Sequence, residues 1–358
     1  MDAVLLVGGQ GTRLRPLTIS APKPMLPAAG VPFTAHQLAR ARDAGVDHVI
    51  LATSYRAEVF EEYFGDGSAF GLDLEYVTEG EPLGTGGGIR NVADRLRGKP
   101  EDPVLIFNGD VLSGLDLTAL LKRHESSHAD VTLHLVEVDD PRAFGVVPTD
   151  GDGRVTEFLE KTPNPPTNRI NAGCYVFRRS VIDSIPAGRP VSVERDTFPE
   201  LLAAGKLVVG HIDSSYWLDL GTPAAFVQGS CDLVLGVVQS SALPGEPGQL
   251  LILEGAQIAA DAVVDGGTAV GRRSRIEAGA VVYRSVVFDD AVIGAGAVVR
   301  NSVIGRGAHI GAGTVVESAV IGDEAQIGEG NELLAGLRIF PGLTLPARSV
   351  RFSSDRVS

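Results

Sequence analysis

Three observations predict the fold class, an α/β domain followed by a parallel β-helix. Short apolar runs alternate with amphipathic segments over residues 1–238, a pattern typical of strands and helices in a parallel sheet. A glycine-rich segment directly follows the first of these runs. In residues 251–358, aliphatic residues recur every six and then every 17 positions, which fits the coils of a β-helix. Residues 239–250, with Ser, Pro and Gly, are the predicted linker.

The first apolar run, residues 3–7, leads into the glycine-rich segment, residues 8–18. Glycine N–H groups can approach a ligand closely because no Cβ stands in the way, and N–H groups that point the same way bind anions. Arg13, Arg15 and Lys23 add positive charge. The segment therefore predicts a polyphosphate site, with a tight turn and solvated arginines as the alternative.

Two well-known phosphate-binding patterns do not match this segment. The P-loop pattern G-x-x-x-x-G-K-[ST] does not occur, and Leu14 stands where the dinucleotide pattern has its third glycine. We therefore exclude both kinds of site.

The alternation continues beyond this segment. Strands are predicted at 46–53, 72–77 and 104–107, and helices at 33–44 and 89–96. A second glycine-rich segment lies between a strand and a helix, so we expect it at the same sheet edge as the first, where α/β sheets bind ligands. Asp110 follows the strand at 104–107, where a carboxylate could meet a metal and phosphates. Its alternative role is to cap a helix near Asp116.

Two later charged residues are also candidates. Lys161 ends a strand-like piece and has Glu160 beside it, so it could bind an anion or form a surface ion pair. Asp219 follows the single tryptophan, Trp217, and could be a metal ligand or belong to the first turn of a helix.

One motif is misleading. Residues 124–128 match the zinc-protease pattern H-E-x-x-H. However, His128 comes just before a strand predicted at 131–138, and no third ligand is apparent. We interpret the run as the end of a surface helix.

Composition and charge limit the possible partners. The net charge of −14 argues against nucleic-acid and anionic-membrane partners, which require basic surfaces. The sequence starts almost at once with a strand and contains no run of 18 apolar residues, so we expect a cytoplasmic protein. Cys174 and Cys231 lie in apolar segments and are predicted to be buried thiols.

The motifs together resemble the sugar-nucleotide pyrophosphorylases, nucleotidyltransferases that join an NTP to a sugar 1-phosphate. The matching segments, in chain order, are GGQGTRLRPLT, PKPM, GVDHVILATSY, EPLGTGGG, FNGD, FGVV, FLEKTP, INAGCYVF, VSVERDTFPELL and YWLDLGTP. The resemblance implies a Rossmann-like mixed-sheet domain that uses Mg²⁺. The C-terminal repeats resemble a left-handed β-helix of hexapeptide repeats.

The resemblance also implies roles for individual residues. The implied nucleotide-binding residues are Gly8, Gly9, Gly11, Thr12, Arg13, Lys23, Gly84 and Thr85. The implied sugar-phosphate-binding residues are Gly145, Glu160, Lys161, Asn171 and Gly173. The implied Mg²⁺ ligands are Asp110 and Asp219, and the implied catalytic residues are Arg13, Lys23 and Lys161. Thr162 departs from the usual E-K-P order, which puts the local loop path in question.

The matching segments are most similar to family members that use GTP and mannose 1-phosphate, and they imply these substrates. The alternatives are another sugar 1-phosphate with another NTP, such as glucose or heptose 1-phosphate, or a non-catalytic subunit that binds a sugar nucleotide. An acyltransferase that uses His309 of the repeats is a further alternative. We expect a homo-oligomer that forms through the β-helix. Because the repeats have a stacked core of their own, we also expect them to be separable near Ser240.

Overall fold

The computed structural model describes residues 1–9, 11–54 and 56–351. Gln10, Tyr55 and residues 352–358 therefore lie outside the described residues, including the end of the predicted 251–358 domain. The chain divides into two compact units: Met1–Gly9 with Gln37–Trp217, and Gln10–His36 with Leu218–Ser358. The second unit thus combines part of the first glycine-rich segment with the C-terminal repeats. The limits 1–238, 239–250 and 251–358 stay a prediction from sequence pattern.

The strands before the repeats are, in chain order, β1 (Asp2–Leu6), β2 (Pro27–Ala28), β3 (Val31–Pro32), β4 (His48–Thr53), β5 (Asp73–Thr78), β6 (Pro103–Asn108), β7 (Val111–Ser113), β8 (Val131–Glu137), β9 (Gly145–Val146), β10 (Leu159–Glu160), β11 (Arg169–Arg178), β12 (Val208–Ile212) and β13 (Trp217–Asp219). The α-helices are α1 (Leu17–Ser20), α2 (Phe33–Asp43), α3 (Glu58–Phe64), α4 (Gly84–Asn91), α5 (Leu117–Ser127), α6 (Arg179–Ser184), α7 (Phe198–Ala203) and α8 (Pro223–Leu235). Short 3-10 turns span Thr12–Leu14, Lys23–Met25, Ser68–Phe70, Ala93–Arg95 and Pro141–Ala143, and a π-helical turn spans Val193–Thr197.

The first unit contains a nine-stranded mixed sheet among its described residues, with β10, β9, β11, β6, β1, β4 and β5 in order, β8 beside β11, and β12 beside β8. Strands β1, β4, β5 and β6 run parallel, as the alternation predicts. Strand β11 runs antiparallel to β6 and β8, so the mixed sheet that the resemblance implies is confirmed. The connection explains the direction relative to β8, because no α-helix lies between β8 and β11 and parallel pairing requires a long crossover, usually through a helix.

Buried aromatic side chains form the centre of this unit. Tyr175 and Phe177 from β11 pack around Phe198 at the start of α7, with ring centroids 5.4 and 6.0 Å from the Phe198 ring. All three side chains are fully buried. Burial of a large apolar side chain contributes about 1.5–3 kcal/mol, so this cluster anchors β11.

The repeats form a parallel β-helix. Its strands are β14 (Leu250–Ile252), β15 (Gln257–Ile258), β16 (Val263–Asp265), β17 (Thr268–Val270), β18 (Arg275–Ile276), β19 (Val281–Tyr283), β20 (Val286–Val287), β21 (Val292–Ile293), β22 (Val298–Arg300), β23 (Val303–Ile304), β24 (His309–Ile310), β25 (Val315–Glu317), β26 (Val320–Ile321), β27 (Gln326–Ile327), β28 (Glu332–Leu333), β29 (Arg338–Ile339) and β30 (Thr344–Leu345). Every third strand pairs in parallel, which gives three sheets. Val286 pairs with Val303 and Val303 with Val320, and these partners lie 17 positions apart, as the period predicts.

The interior of the β-helix is the predicted stack of aliphatic residues. Ile293, Ile310 and Ile327 are buried in one cluster. A Cβ on Gly311 would lie 2.5 Å from the backbone nitrogen of Glu329 in the next coil. Glycine at this repeat position therefore lets adjacent coils approach each other closely.

Helix α8 covers part of the outer surface of the first β-helix sheet, the part formed by β14, β17 and β20. Ile304 faces the coil interior, so its neighbour Val303 faces outward. Val303 is nevertheless fully buried. Helix α8 packs against β14, β17 and β20, and its Phe226 lies edge-on to Phe288 with ring centroids 6.5 Å apart. The β-helix and α8 therefore share one apolar core.

Candidate functional site

The glycine-rich segment forms a tight turn in the second unit. Gly11 has a left-handed φ of +56°, and the Thr18 hydroxyl donates a 2.9 Å hydrogen bond to its carbonyl oxygen. A Cβ on Gly11 would lie 2.9 Å from Thr18 Cγ2 and 3.0 Å from Lys23 Cβ. The 3-10 turn Thr12–Leu14 follows, and it leaves Thr12 and Arg13 exposed. Glycine is required here for both its φ and its small size.

Three predicted site residues meet beside this turn. Asp219 lies 3.9 Å from Arg13, between Oδ2 and Nη2, and 3.7 Å from Lys23, between Oδ1 and Nζ. Asp219 is the last residue of β13, and α8 begins only at Pro223 with Thr222 as its N-cap. Asp219 therefore does not belong to a helical turn. The structure brings two cations and one carboxylate, distant in sequence, into a single charged cluster.

The first unit has a cavity of about 240 Å³ at the carboxyl edge of its parallel strands, lined by Leu6, Gly8, Gly9, Ala52, Ser54, Glu79, Pro82, Gly84 and Thr85. Four residues of this unit are predicted to bind the nucleotide, and all four line the cavity: Gly8, Gly9, Gly84 and Thr85. Such an edge is where open α/β sheets bind ligands.

Glu79 and Ser54 are lining residues that the sequence reasoning missed. Glu79 accepts a 3.2 Å hydrogen bond from the Leu83 N–H, and burial raises the pKa of its carboxyl group. Both residues directly follow a parallel strand, β4 for Ser54 and β5 for Glu79. Their position one residue beyond a strand end was the available signal.

The second glycine-rich segment differs from the prediction. Helix α4 starts at Gly84 rather than near Ile89, so the glycines lie within the helix. The N–H groups of Gly86 and Gly87 both donate to the Val191 carbonyl oxygen, at 2.8 and 3.1 Å. A Cβ on Gly86 would lie 2.9 Å from the Val191 side chain. These glycines allow close packing inside the protein, which explains their number without an anion.

Thr85 is tied to the π-helical turn. Its hydroxyl donates to the Glu194 carboxylate at 2.9 Å and accepts from the Val193 N–H at 2.9 Å. The side chain thus fixes the wall of the cavity, and contact with a base stays a prediction.

Asp110 lies just past the end of β6. The Gly109 N–H donates to the Leu6 carbonyl oxygen at 2.9 Å, and a Cβ on Gly109 would lie 2.6 Å from that oxygen. This contact holds the backbone that precedes Asp110 beside the end of β1. The capping role considered for Asp110 is wrong, because Asp116 itself caps α5 through the N–H groups of Thr118 and Ala119.

A second group of predicted residues surrounds the short β9–β10 pair. Gly145 lies opposite Glu160, and a Cβ on Gly145 would lie 3.0 Å from Glu160 Oε2. Lys161 has a left-handed φ of +52°, and its N–H donates to the Phe144 carbonyl oxygen at 3.0 Å. Its Nζ lies 3.6 Å from Glu160 Oε1, and the side chain is 61% exposed. The ion pair considered from the sequence is therefore present, and the ammonium group remains open to solvent.

Asn171 and Gly173 shape a bulge in β11, where the register with β8 shifts between Asn171 and Tyr175. The Asn171 side chain donates to the Tyr175 hydroxyl at 2.8 Å and accepts from the Gly173 N–H at 3.2 Å. Gly173 has a φ of +74°, and a Cβ there would lie 2.8 Å from Asn108 Nδ2. These residues hold the strand's irregular shape, and contact with a sugar stays a prediction.

Several other candidates have structural roles. His124 is buried and bonds to the Thr132 hydroxyl, while His128 ends α5 with a left-handed φ of +53°. Burial raises the pKa of each cysteine thiol to about 12, and both are free thiols, as predicted. Among the described residues, no three His, Cys, Asp or Glu side chains form a group that could hold a metal.

Two family models match the chain: nucleotidyl transferase over residues 2–234 and GMPPB C-terminal domain over residues 247–350. This chain belongs to the nucleotidyl transferase family. It is 61% identical over 356 residues to the mannose-1-phosphate guanylyltransferase of Mycobacterium tuberculosis (strain ATCC 25618 / H37Rv), with 99% of this chain and 98% of the relative covered. It is 38% identical to mannose-1-phosphate guanylyltransferase catalytic subunit beta of Drosophila melanogaster, over 64% of this chain and 62% of that one.

Solved structures also resemble part of this chain. HddC from Yersinia pseudotuberculosis, which has also been solved with GMP-PN, matches with a TM-score of 0.56 and 29% identity over 64% of this chain and 97% of that one. A putative glucose-1-phosphate thymidylyltransferase from Bacillus anthracis matches with a TM-score of 0.61 and 22% identity over 69% and 100% of the two chains, which supports the fold alone. In the part of this nucleotidyl transferase that is described, no helix has the length and apolar character of a membrane span.

Proposed function

We propose that this nucleotidyl transferase transfers the guanylyl group of GTP to mannose 1-phosphate and releases pyrophosphate, forming GDP-mannose. The 61% identity to the Mycobacterium tuberculosis guanylyltransferase over 99% of the chain carries this proposal. The charged cluster and the cavity provide the parts that such a reaction needs.

The reaction joins two anions. An oxygen of the sugar phosphate attacks the α-phosphorus of the nucleotide in line, and the bond from that phosphorus to the pyrophosphate oxygen breaks. Catalysis of this kind depends mainly on alignment and on charge stabilisation. Arg13 and Lys23 would meet the negative charge that develops on the leaving pyrophosphate, and the backbone of Gly8, Gly9, Gly11 and Thr12 would cradle the phosphates.

Mg²⁺ fits the two candidate carboxylates chemically. Asp110 and Asp219 are both partly exposed, and carboxylate oxygens are the ligands that Mg²⁺ prefers. When bound, the ion would neutralise charge on the phosphate oxygens. Asp219 has a second function in this proposal, because its charge holds Arg13 and Lys23 in place.

The sugar phosphate would bind at the group around β9 and β10. Lys161 supplies an exposed ammonium group on a backbone that its bond to Phe144 fixes, and such a group can pair with a phosphate. Glu160 can accept hydrogen bonds from sugar hydroxyl groups. Gly145, Asn171 and Gly173 would define the shape of this part of the site.

Glu79 supports guanine as the base. Guanine presents two neighbouring donors, the N1–H and the 2-amino group, and a carboxylate can accept from both. Adenine has an acceptor at N1, and uracil and thymine have a single ring N–H donor. Because Glu79 is partly desolvated in the cavity, as its raised pKa indicates, a mismatched base would leave a costly unpaired group.

A pyrophosphate-release assay over a grid of NTPs and sugar 1-phosphates tests the proposal. We expect the highest rate with GTP and mannose 1-phosphate. A preference for dTTP or UTP with glucose 1-phosphate, or for heptose 1-phosphate, would contradict it. No turnover with any pair, together with binding of a sugar nucleotide, would indicate a regulatory subunit.

We further propose self-association through the β-helix. Val263, Val281, Val298 and Val315 lie in register on the outside of the sheet that contains β16, and Val263 is 55% exposed. The other three valines are partly exposed, and such an apolar row suits contact with a second copy. We place the protein in the cytoplasm, where the two free thiols would stay reduced.

A further inference from the structure

Arg338 occupies a distinctive place on the β-helix. In the register of the first sheet it follows Val286, Val303 and Val320, one residue from each successive coil. These three valines face outward but are buried at 3% exposure or less. Arg338 replaces the valine in the next coil and is exposed. The row thus consists of buried valines and ends in an exposed, charged side chain.

The end of this side chain reaches the phosphate turn. Arg338 Nη1 donates a hydrogen bond of 2.7 Å to the carbonyl oxygen of Arg15. The turn itself is closed by two longer bonds, from the Leu14 N–H to the Gly11 carbonyl at 3.0 Å and from the Arg15 N–H to the Thr12 carbonyl at 3.2 Å. A charged donor makes the Arg338 bond stronger than either of these neutral bonds.

The contact bears directly on Arg13. Arg13 lies in the middle of the closed turn, two residues from the carbonyl that Arg338 holds, and its guanidinium reaches Asp219. A turn entered through glycine has many conformations when nothing holds it, and a ligand must then order it on binding. A bond from the rigid β-helix removes part of that cost in advance.

We propose that Arg338 is a positioning residue for nucleotide binding: it fixes the turn at residues 12–15, so that the last coils of the β-helix belong functionally to the nucleotide site. This inference rests on the proposed nucleotidyl transfer. It assigns the β-helix a part in substrate affinity in addition to self-association.

Kinetics and direct binding of three full-length variants test the inference. Arg338→Ala removes the donor, Arg338→Lys keeps a cation with a shorter reach, and Arg300→Ala removes an exposed arginine of β22 as a matched control. For each we would measure KM for both substrates, kcat, the Kd for GTP by titration calorimetry, and Tm.

We expect Arg338→Ala to raise both the KM and the Kd for GTP by about 5- to 30-fold, which is less than the full effect of losing a bond from a charged group, because the contact is exposed and acts on the ligand through the turn. The KM for mannose 1-phosphate should stay within about twofold, and the Tm within about 2 °C, because the side chain is exposed. Arg338→Lys should restore part of the affinity, and Arg300→Ala should behave as the unmodified protein.

Two outcomes would overturn the inference. One is an unchanged Kd for GTP in Arg338→Ala. The other is an equal rise in both KM values with a clearly lower Tm, which would assign Arg338 a purely structural role. If the unmodified protein uses a different nucleotide, the proposed specificity fails, and the same variants then test the positioning role with that nucleotide.

Discussion

Asp219 pairs with two cations at once. Its carboxylate lies 3.9 Å from Arg13 and 3.7 Å from Lys23, so its negative charge offsets the repulsion between these two cations. Gly221 makes room for this arrangement. A Cβ there would lie 2.5 Å from Arg13 Nη2.

Gly221→Ala should therefore displace the Arg13 guanidinium without disturbing the fold. The neighbouring atom is the far end of an exposed side chain, which can move at little cost. We expect kcat to fall about 10-fold, equivalent to roughly 1.4 kcal/mol of transition-state stabilisation, with an almost unchanged Tm. Gly151→Ala is the control, because no atom lies within 4 Å of a Cβ at that position. An unchanged kcat would show that the position of Arg13 is not critical.

Substitution of Glu79 tests its role in the choice of base. Glu79→Gln replaces two acceptors with one acceptor and one donor, which no longer matches the two donors of guanine. We expect kcat/KM for GTP to fall by about 10- to 10²-fold and the preference for GTP over UTP to narrow. Glu81→Gln, at an exposed glutamate of the same segment, should leave the preference intact. An unaltered ratio of GTP to UTP activity in Glu79→Gln would remove Glu79 from base recognition.

At the scale of elements, α8 belongs as much to the β-helix as to the rest of the chain. Phe226 packs on Phe288, and Leu253 fills the space beside Gly30, where a Cβ would lie 2.8 Å from Leu253 Cδ1. His36 Nδ1 lies 2.7 Å from the Ser240 hydroxyl. These contacts argue against the expectation that the repeats are separable near Ser240.

Truncation at Ser240 should therefore destabilise the remaining chain. Exposure of Phe226 and its neighbours would cost several kcal/mol, at about 1.5–3 kcal/mol for each large side chain, out of a typical stability of about 5–15 kcal/mol. We expect a lower Tm and aggregation in light scattering. A truncated protein that keeps the full-length Tm and binds GTP equally well would contradict both this prediction and the proposed role of Arg338.

At the scale of the whole molecule, three buried histidines link stability to pH. Burial lowers the pKa of His36 and of His124 to about 4, and that of His134 to about 3. In His36 the Nε2–H donates to the Ala28 carbonyl oxygen at 3.0 Å, which leaves Nδ1 to accept from Ser240. Protonation of Nδ1 would reverse the direction of that second bond and would place a positive charge where burial disfavours it. The folded state therefore favours neutral imidazoles.

The contribution of these histidines to the free energy of unfolding should be fully present above their unfolded-state pKa of about 6.5. It should decrease as the pH falls from there toward 4. The reason for the sign is that the unfolded chain takes up protons in this range and the folded chain does not. Urea unfolding between pH 8 and pH 5 would measure the slope of the free energy of unfolding against pH. His36→Gln should reduce the slope, whereas His309→Gln, at an exposed histidine, should not. A free energy of unfolding that is constant over this range would contradict the prediction.

The local elements could be predicted from the sequence, because they depend on neighbouring residues. The apolar runs predicted β1, β4, β5 and β6, and the aliphatic period predicted the coil interior around Ile293 and Ile310. Membership of the nucleotidyl transferase family was likewise readable from short motifs. The glycine at position 11 was also recognisable, since its requirement arises within one turn.

Features that depend on contacts between distant positions could be seen only in the folded protein. The strand direction of β11, the start of α4 among glycines packed on Val191, and the meeting of Asp219 with Arg13 all result from such contacts. The bond from Arg338 to Arg15 joins residues more than 300 positions apart. Local pattern carries no information about such pairs, because they form only when the apolar faces of separate elements pack together and bring these polar groups within hydrogen-bonding distance.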